Sequence, residues 1–309
     1  MAKNANLINA KKAKNDEFYT RLQDIEKELN SYDPAVFKDK TIFCNCDDPK
    51  RSKFWIFFHM NFNRLGLKKL IATHYNMDGS PSYAMIYDSQ NQKDDVDFDK
   101  GAKIPLKGDG DFRSPECIDL LKQSDMVVTN PAFSLFREYI AQLEQYNKQF
   151  IVVGNLNAIT YKGIFPLIKD SQLWLGYNQV KDFKQPDGTY KKVTCRWFTN
   201  VDTKKRRHKL ETVYRWRKCK EKYPDLYPKY DNYDAIEVGK VLQIPLDYDG
   251  VMGVPITFLD KYNPDQFEII KFRKGDDNKD LRYTINGKGK QPYFRILIRN
   301  KHPEDYQND

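Results

Sequence analysis

Four consecutive residues, Asn130-Pro131-Ala132-Phe133, concentrate the chemistry this chain could do. They follow an apolar run, Met126 to Val128, that reads as a buried strand. An asparagine at a strand end offers a side-chain carbonyl, the proline carbonyl beside it offers a second acceptor, and Phe133 offers a flat face. Two acceptors and a ring suit an exocyclic amino group on a purine: the acceptors take its two N–H hydrogens and the aromatic covers the base. Asn130, Pro131 and Phe133 are therefore the candidate catalytic residues. The plainer reading of the same string is a turn after a strand with Phe133 buried. Other residue types offer less. His59, His74, His208 and His302 are scattered without ligand spacing. The five cysteines (Cys44, Cys46, Cys117, Cys195, Cys219) fit neither a zinc pattern nor a disulfide scaffold. No metal is expected, and the acidic tract at 91–100 reads as a loop in preference to a metal site. Unpatterned cysteines point to reduced thiols and a cytoplasmic setting.

The elements that must hold this string follow from hydrophobic spacing. Leu22, Ile25 and Leu29 mark a short helix. Residues 40–46 read as a buried strand ending in Asp47-Asp48-Pro49, where proline opens a turn or a helix. Phe54, Phe57, Phe58, Phe62 and Leu65 keep helical spacing until Gly66, and Lys69 to Thr73 reads as the next strand. Strand, acidic turn, helix, strand is a βαβ unit, which implies a parallel sheet. Asp88 to Lys103 is polar and reads as an exposed loop or hairpin end. Pro115 to Leu121 then reads as helix, Asp125 to Thr129 as strand, Phe136, Ile140 and Leu143 as a helix face, and Phe150 to Asn155 as strand. This alternation over residues 16–176 predicts a doubly wound α/β domain. Such sheets place ligands at the carboxyl ends of their strands, where Asn130 falls.

The second half differs. Residues 204–220 hold nine basic side chains (Lys204, Lys205, Arg206, Arg207, Lys209, Arg215, Arg217, Lys218, Lys220) against one acid, Glu211. Tyr223 to Tyr230 is too rich in proline for helix, while Ile236 to Val238, Phe267 to Lys271 and Phe294 to Ile298 read as strands. The whole chain, 309 residues, carries 52 Lys plus Arg against 43 Asp plus Glu, a net charge of +9. With 31% charged residues and a mean hydropathy of −0.78 it reads as a soluble globular protein. Apolar runs such as Phe54 to Met60 fall short of the roughly 20 residues that span a membrane. Met1 to Lys14 is polar, which argues against a signal peptide. A net positive charge and 14% aromatic residues tolerate a polyanion and base stacking without establishing either.

Asn130-Pro131-x-Phe133 resembles the Asp/Asn-Pro-Pro-Tyr/Phe signature of methyltransferases that act on adenine N6 or cytosine N4. The strings Asp16-Glu17-Phe18-Tyr19-Thr20, Cys44-Asn45-Cys46-Asp47-Asp48-Pro49 and Gly108-Asp109-Gly110-Asp111-Phe112-Arg113-Ser114 are similar to those of the EcoRI-type adenine-specific DNA methyltransferases. So are Val128 to Tyr139, Tyr230 to Val238 and Asp247 to Pro255, so that the resemblance runs from residue 15 to about 270.

That resemblance implies an α/β fold, a Rossmann-like S-adenosylmethionine-dependent methyltransferase sheet with a mixed α+β C-terminal target-recognition region. The catalytic domain would occupy 1–180, with closing strands and recognition region in 181–309. It implies that Phe18, Tyr19 and Thr20 hold the carboxylate end of S-adenosylmethionine. Cys46, Asp47, Asp48 and Pro49 would approach the methionyl amine from a turn without the usual glycines, Asp111 and Phe112 would meet the cofactor's adenine, and Asn130 would border the same pocket. The reaction implied is methyl transfer to a flipped-out adenine in double-stranded DNA. Lys204, Lys205, Arg206, Arg207, Arg215 and Arg217 would contact the nucleic acid, and a cognate restriction endonuclease would be a partner in the same system. Two rival readings are an RNA adenine methyltransferase and a DNA-binding protein whose transfer is weakened by Ala132. Alanine at 132 departs from the signature: it lacks the ring that fixes φ near −65°, so a looser loop, a less fixed Phe133 and slowed transfer are expected.

Overall fold

The computed structural model describes residues 20–46, 48–88, 101–184 and 190–304. Phe18, Tyr19, Asp47 and the tract at 91–100 lie outside the described residues. The chain divides into two compact units, residues 1–164 with 173–201 and residues 165–172 with 202–309.

The described part of the first unit opens on α1 (Leu22–Leu29), which buries Ile25 and Leu29, and β1 (Thr41–Cys44), buried throughout. Ser52 caps α2 (Lys53–Met60) by accepting from the Phe54 and Trp55 amides. The helix expected to run to Leu65 breaks at Asn61, whose backbone leaves the helical region (φ −104°, ψ 11°) and whose side-chain amide donates at 2.8 Å to the Phe57 carbonyl that its own backbone amide also reaches at 3.1 Å. A second helix, α3 (Phe62–Leu65), ends at Gly66 with φ +62°, and β2 (Lys69–Thr73) follows. Next come β3 (Tyr83–Asp88), β4 (Ala102–Pro105), α4 (Pro115–Gln123), β5 (Met126–Thr129), α5 (Phe136–Gln145), β6 (Gln149–Asn155), β7 (Trp174–Lys184) and β8 (Tyr190–Thr199).

These strands form one eight-stranded mixed sheet in the order β4-β3-β2-β1-β5-β6-β8-β7. Strands β2, β1, β5 and β6 are mutually parallel, as the βαβ pattern requires. The antiparallel pairs β3–β4 and β8–β7 extend the sheet on either side. Helices cover both faces. Ile42, Cys44, Leu70, Ala72, Met126, Val128, Ile151 and Val153 point into one core with Phe54, Trp55, Phe57 and Phe58 of α2. On the opposite face Phe136 of α5 meets Phe198 at 5.0 Å over Gly154, which has no room for a Cβ. Strands β3, β4, β7 and β8 lie outside the elements that the sequence pattern predicts. The last two pair with register shifts that spoil a clean alternation.

The second unit contains α6 (Phe165–Lys169), a 3-10 turn at Lys204–Arg207, α7 (Trp216–Lys222), β9 (Ile236–Glu237), β10 (Val251–Pro255), β11 (Phe267–Phe272), β12 (Tyr283–Ile285), β13 (Lys288–Lys290) and β14 (Arg295–Asn300). Strands β11-β14-β10-β9 make a four-stranded sheet, and β12 and β13 form a separate hairpin. Buried Glu237 knits this unit together: the Arg295 guanidinium reaches it at 2.6 Å and the Tyr230 hydroxyl donates to it, over a glycine, Gly253, that leaves space for the tyrosine. Among the described residues no helix is long and apolar enough to cross a membrane.

A buried carboxylate fixes α1 to the sheet. Glu28 accepts from the amides of Tyr177 (2.8 Å) and Asn178 (2.7 Å), from the Asn178 side chain (2.9 Å) and from the Tyr32 hydroxyl (3.1 Å). Gly176 of β7 has no Cβ to obstruct it. Burial raises the Glu28 pKa above the ordinary carboxylate range, against the lowering effect of those donors. Glu28→Ala is expected to cost about 3 kcal/mol in urea unfolding, because two strand amides lose their acceptor. Since the folded-state pKa is raised, the stability contributed by the protonated form is present below the ordinary value and lost as pH rises through the raised one. Glu28→Gln should flatten that slope above the ordinary carboxylate range.

Candidate active site

The four parallel strands end along one edge of the first sheet: β1 at Cys44, β2 at Thr73, β5 at Thr129 and β6 at Asn155. Strand β1 runs on to β2 on one side, while β5 runs on to β6 on the other, so the chain leaves the β1 and β5 ends in opposite directions. The crevice this opens is where such sheets bind ligands.

Asn45 is the first residue past β1 and only 2% exposed. Its Oδ1 accepts from the Tyr139 hydroxyl of α5 and from the Cys46 thiol at 3.7 Å, while its Nδ2 is buried without an acceptor among the described residues. The Tyr139 ring takes the edge of Phe112 at 5.1 Å, and Gln142 donates to the Phe112 carbonyl at 3.2 Å. Phe112 is thereby tied to the end of β1 through α5. Gly110, at φ +85°, lies against the His74 carbonyl just past β2 so closely that a Cβ would collide with it. Ser82 donates to the same carbonyl at 2.6 Å, and the Asn76 amide donates to the Asp109 carbonyl at 2.7 Å. Asp48 accepts from the Tyr83 hydroxyl at 3.0 Å and faces His74 Nδ1 at 3.8 Å. One edge thus gathers Asn45, Cys46, Asp48, Asp109, Asp111 and Phe112.

Arg113 grips Asp111 with two bonds, 2.8 and 2.5 Å, and holds its carboxyl below the ordinary range. Its Oδ1 also accepts from the Arg113 backbone amide at 2.8 Å, while Oδ2 keeps a further lone pair with which Asp111 can still accept from a ligand. Pro49 is buried and Cys46 half-buried. Thr20 is buried with its hydroxyl unpartnered among the described residues.

Asn130 directly follows β5 and is 9% exposed, and Pro131 beside it is buried. Phe133 begins a 3-10 turn closed by the Leu135 amide on the Ala132 carbonyl at 3.0 Å. The phenyl ring is 5% exposed and sits in the core, edge-on to Phe183 at 6.0 Å. The structure therefore brings Asn130 and Pro131 to the crevice edge and turns Phe133 inward. Asn45 and Tyr139 were not legible as site residues. Tyr139 shares a helical face with Phe136 and Leu143 and reads as core; only Asn45's place inside the string around Asp48 marked it.

The basic residues of the second unit are largely engaged. Lys205 pairs with Asp260 at 3.7 Å, Arg207 with Asp202, and Arg215 with Glu304 at 3.2 Å. Burial lowers the pKa of the Arg206 guanidinium. Lys204 lies in the same 3-10 turn and Arg217 in α7.

Ala132 stands at φ −54° and ψ 124°, an angle a proline ring also adopts. The fold holds the loop there without the ring. Ala132→Pro is expected to raise stability by about 0.4–1 kcal/mol in urea unfolding through the unfolded chain's lost freedom. A loss of stability would show that the ring cannot be accommodated.

A family model described as adenine-specific methyltransferase EcoRI matches residues 6–301. The chain is 50% identical to the type II methyltransferase M.EcoRI of Escherichia coli, over 97% of this chain and 99% of that protein. It is 41% identical to the type II methyltransferase M.MpnI of Mycoplasma pneumoniae and 39% identical to M.MgeORF184P of Mycoplasma genitalium, each over 94% of this chain and 97% of the relative. No solved structure matches the chain at a significant level. With the crevice at the ends of β1 and β5 and likeness along nearly its whole length, the chain belongs to the EcoRI family of adenine-specific methyltransferases.

Proposed function

We propose that this protein transfers a methyl group from S-adenosylmethionine to the N6 amino group of an adenine flipped out of duplex DNA. The observation that carries the reading is the placement of Asn130-Pro131 at the carboxyl end of β5, beside the acidic crevice at the ends of β1 and β2. The first unit is then a Rossmann-like methyltransferase sheet. Catalysis is assigned to residues 1–180, and closing strands and target recognition to 181–309. The proposed setting is the cytoplasm, with a cognate restriction endonuclease in the same system.

The residues present suit the cofactor. Its methionyl amine and adenine amino group are donors and its net charge is positive, matching the carboxylates of Asp48, Asp109 and Asp111; its carboxylate suits the orphaned Nδ2 of Asn45. Cys46, Asp47, Asp48 and Pro49 would border the methionyl end with Phe18, Tyr19 and Thr20, and Asp111 and Phe112 the adenine. When bound, the cofactor supplies an electrophilic methyl carbon on a sulfonium. Asn130 Oδ1 and the Pro131 carbonyl accept the two hydrogens of the target amino group, which draws its nitrogen out of conjugation with the ring and frees the lone pair. Positioning and fixed dipoles do the rest, with no covalent enzyme intermediate. The proton displaced from the alkylated nitrogen is released to water, the two carbonyl oxygens accepting its hydrogen bond without taking it up. For Phe133 to stack on the flipped base it must leave Phe183, so the loop movement belongs to base capture. Lys204, Lys205, Arg206, Arg207, Arg215 and Arg217 are the proposed phosphate-facing segment.

The test is transfer of a labelled methyl group into duplex DNA and into RNA, with the modified base identified by digestion. Label on adenine N6 in DNA is expected, and Asn130→Ala should lower single-turnover transfer by about 10²- to 10³-fold. Label in RNA alone, or binding of cofactor and DNA without turnover, would overturn the reading.

A further inference from the structure

The hairpin β12–β13 belongs to neither sheet. Tyr283 pairs with Lys290, Thr284 with Gly289 and Ile285 with Lys288, around a two-residue turn in which Asn286 (φ +50°) and Gly287 (φ +72°) are both left-handed. That turn matches the strand twist and sets the register. An isolated pair of strands is marginal in water, so its base is tethered. Tyr230 bridges to Tyr283, Thr284 donates to Asp231 at 3.0 Å, and Asn232 accepts from the Arg282 amide at 3.1 Å. Every residue of β13 is exposed.

Charge and glycine placement set this hairpin apart. From Leu281 to Gln291 the chain has three cations, Arg282, Lys288 and Lys290, and no acid. Arg282 is held by Asp277 at 2.9 Å, and of the nearby carboxylates Asp231 is taken by Thr284 and Asp225 by Asn286. Among the described residues Lys288 and Lys290 have no ion-pair partner. Gly287 is required by its turn angle, but Gly289 is not: its backbone is not left-handed, and a Cβ there would meet nothing within 4 Å. Glycine inside a strand costs stability, and where neither φ nor internal packing asks for it, close approach of something outside the protein does.

We propose that β12–β13 is a ribbon that enters the major groove of duplex DNA, with Gly289 giving the backbone room against the groove and Lys288 and Lys290 facing phosphates. A two-stranded ribbon fits the major groove of B-form DNA and is too wide for the narrow major groove of an RNA duplex. This rests on the duplex-DNA reading above and assigns that contact to residues outside the basic segment at 204–220.

The experiment uses the full chain saturated with S-adenosylhomocysteine and a fluorescent duplex carrying a site that the wild-type protein methylates. Gly289→Val, a better strand former in open space, should keep or raise the unfolding midpoint and leave S-adenosylhomocysteine affinity unchanged, yet weaken duplex binding at least tenfold. Lys288→Gln with Lys290→Gln should reduce the slope of log affinity against log salt by about two. Wild-type duplex affinity and slope in both variants would overturn the ribbon, and if Gly289→Val fails to fold, the lysine pair decides alone. A wild-type protein that binds RNA duplex but not DNA would overturn the DNA reading itself, and the ribbon with it.

Discussion

The site depends on one pairing, β1 against β5, with Ile42 beside Met126 and Phe43 beside Val127. It joins two βαβ runs that wind away from each other, and it brings the ends of β1 and β5, followed by Asn45 and Asn130, to the same edge although 85 positions separate those residues in the chain. Strands buried on both faces hold this register because a slip would exchange the two cores. One core takes Ile42, Cys44, Met126 and Val128 against aromatic residues of α2; the other takes the alternate positions. Chemistry at the crevice is therefore as precise as the packing beneath it.

Around that pairing the molecule places polar groups where burial makes them exacting. Glu28 satisfies two amides of β7 and Tyr139 satisfies Asn45, and each depends on a neighbour that gives way, Gly176 for the carboxylate and the edge-packed Phe112 for the tyrosine. Such contacts contribute little net energy when complete and cost much when broken. They fix α1 against β7 and the loop carrying Phe112 against α5.

Positive charge is divided in a similar way. The dense segment at 204–220 meets Asp202, Asp260 and Glu304 within its own unit. In the β12–β13 hairpin Arg282 is held by Asp277, while Lys288 and Lys290 have no ion-pair partner among the described residues. Charge density along the chain is thus a poor guide to charge available to a polyanion, because folding decides which cations are neutralised.

Read alone, the sequence determined the four parallel strands, the helices between them and Asn130 at a strand end, because apolar spacing and turn residues are local signals. The strings around Asp48, Asp111 and Asn130 also determined the family. Only the tertiary structure decided that β3, β4, β7 and β8 complete the sheet, since the outer strands are recruited by the neighbours they pair with more than by their own pattern. It decided that Asn61 interrupts the helix after β1, that Asn45 and Tyr139 meet at the crevice, and that Phe133 turns into the core. Such outcomes depend on which distant residue fills the space beside each side chain, and no local spacing encodes that.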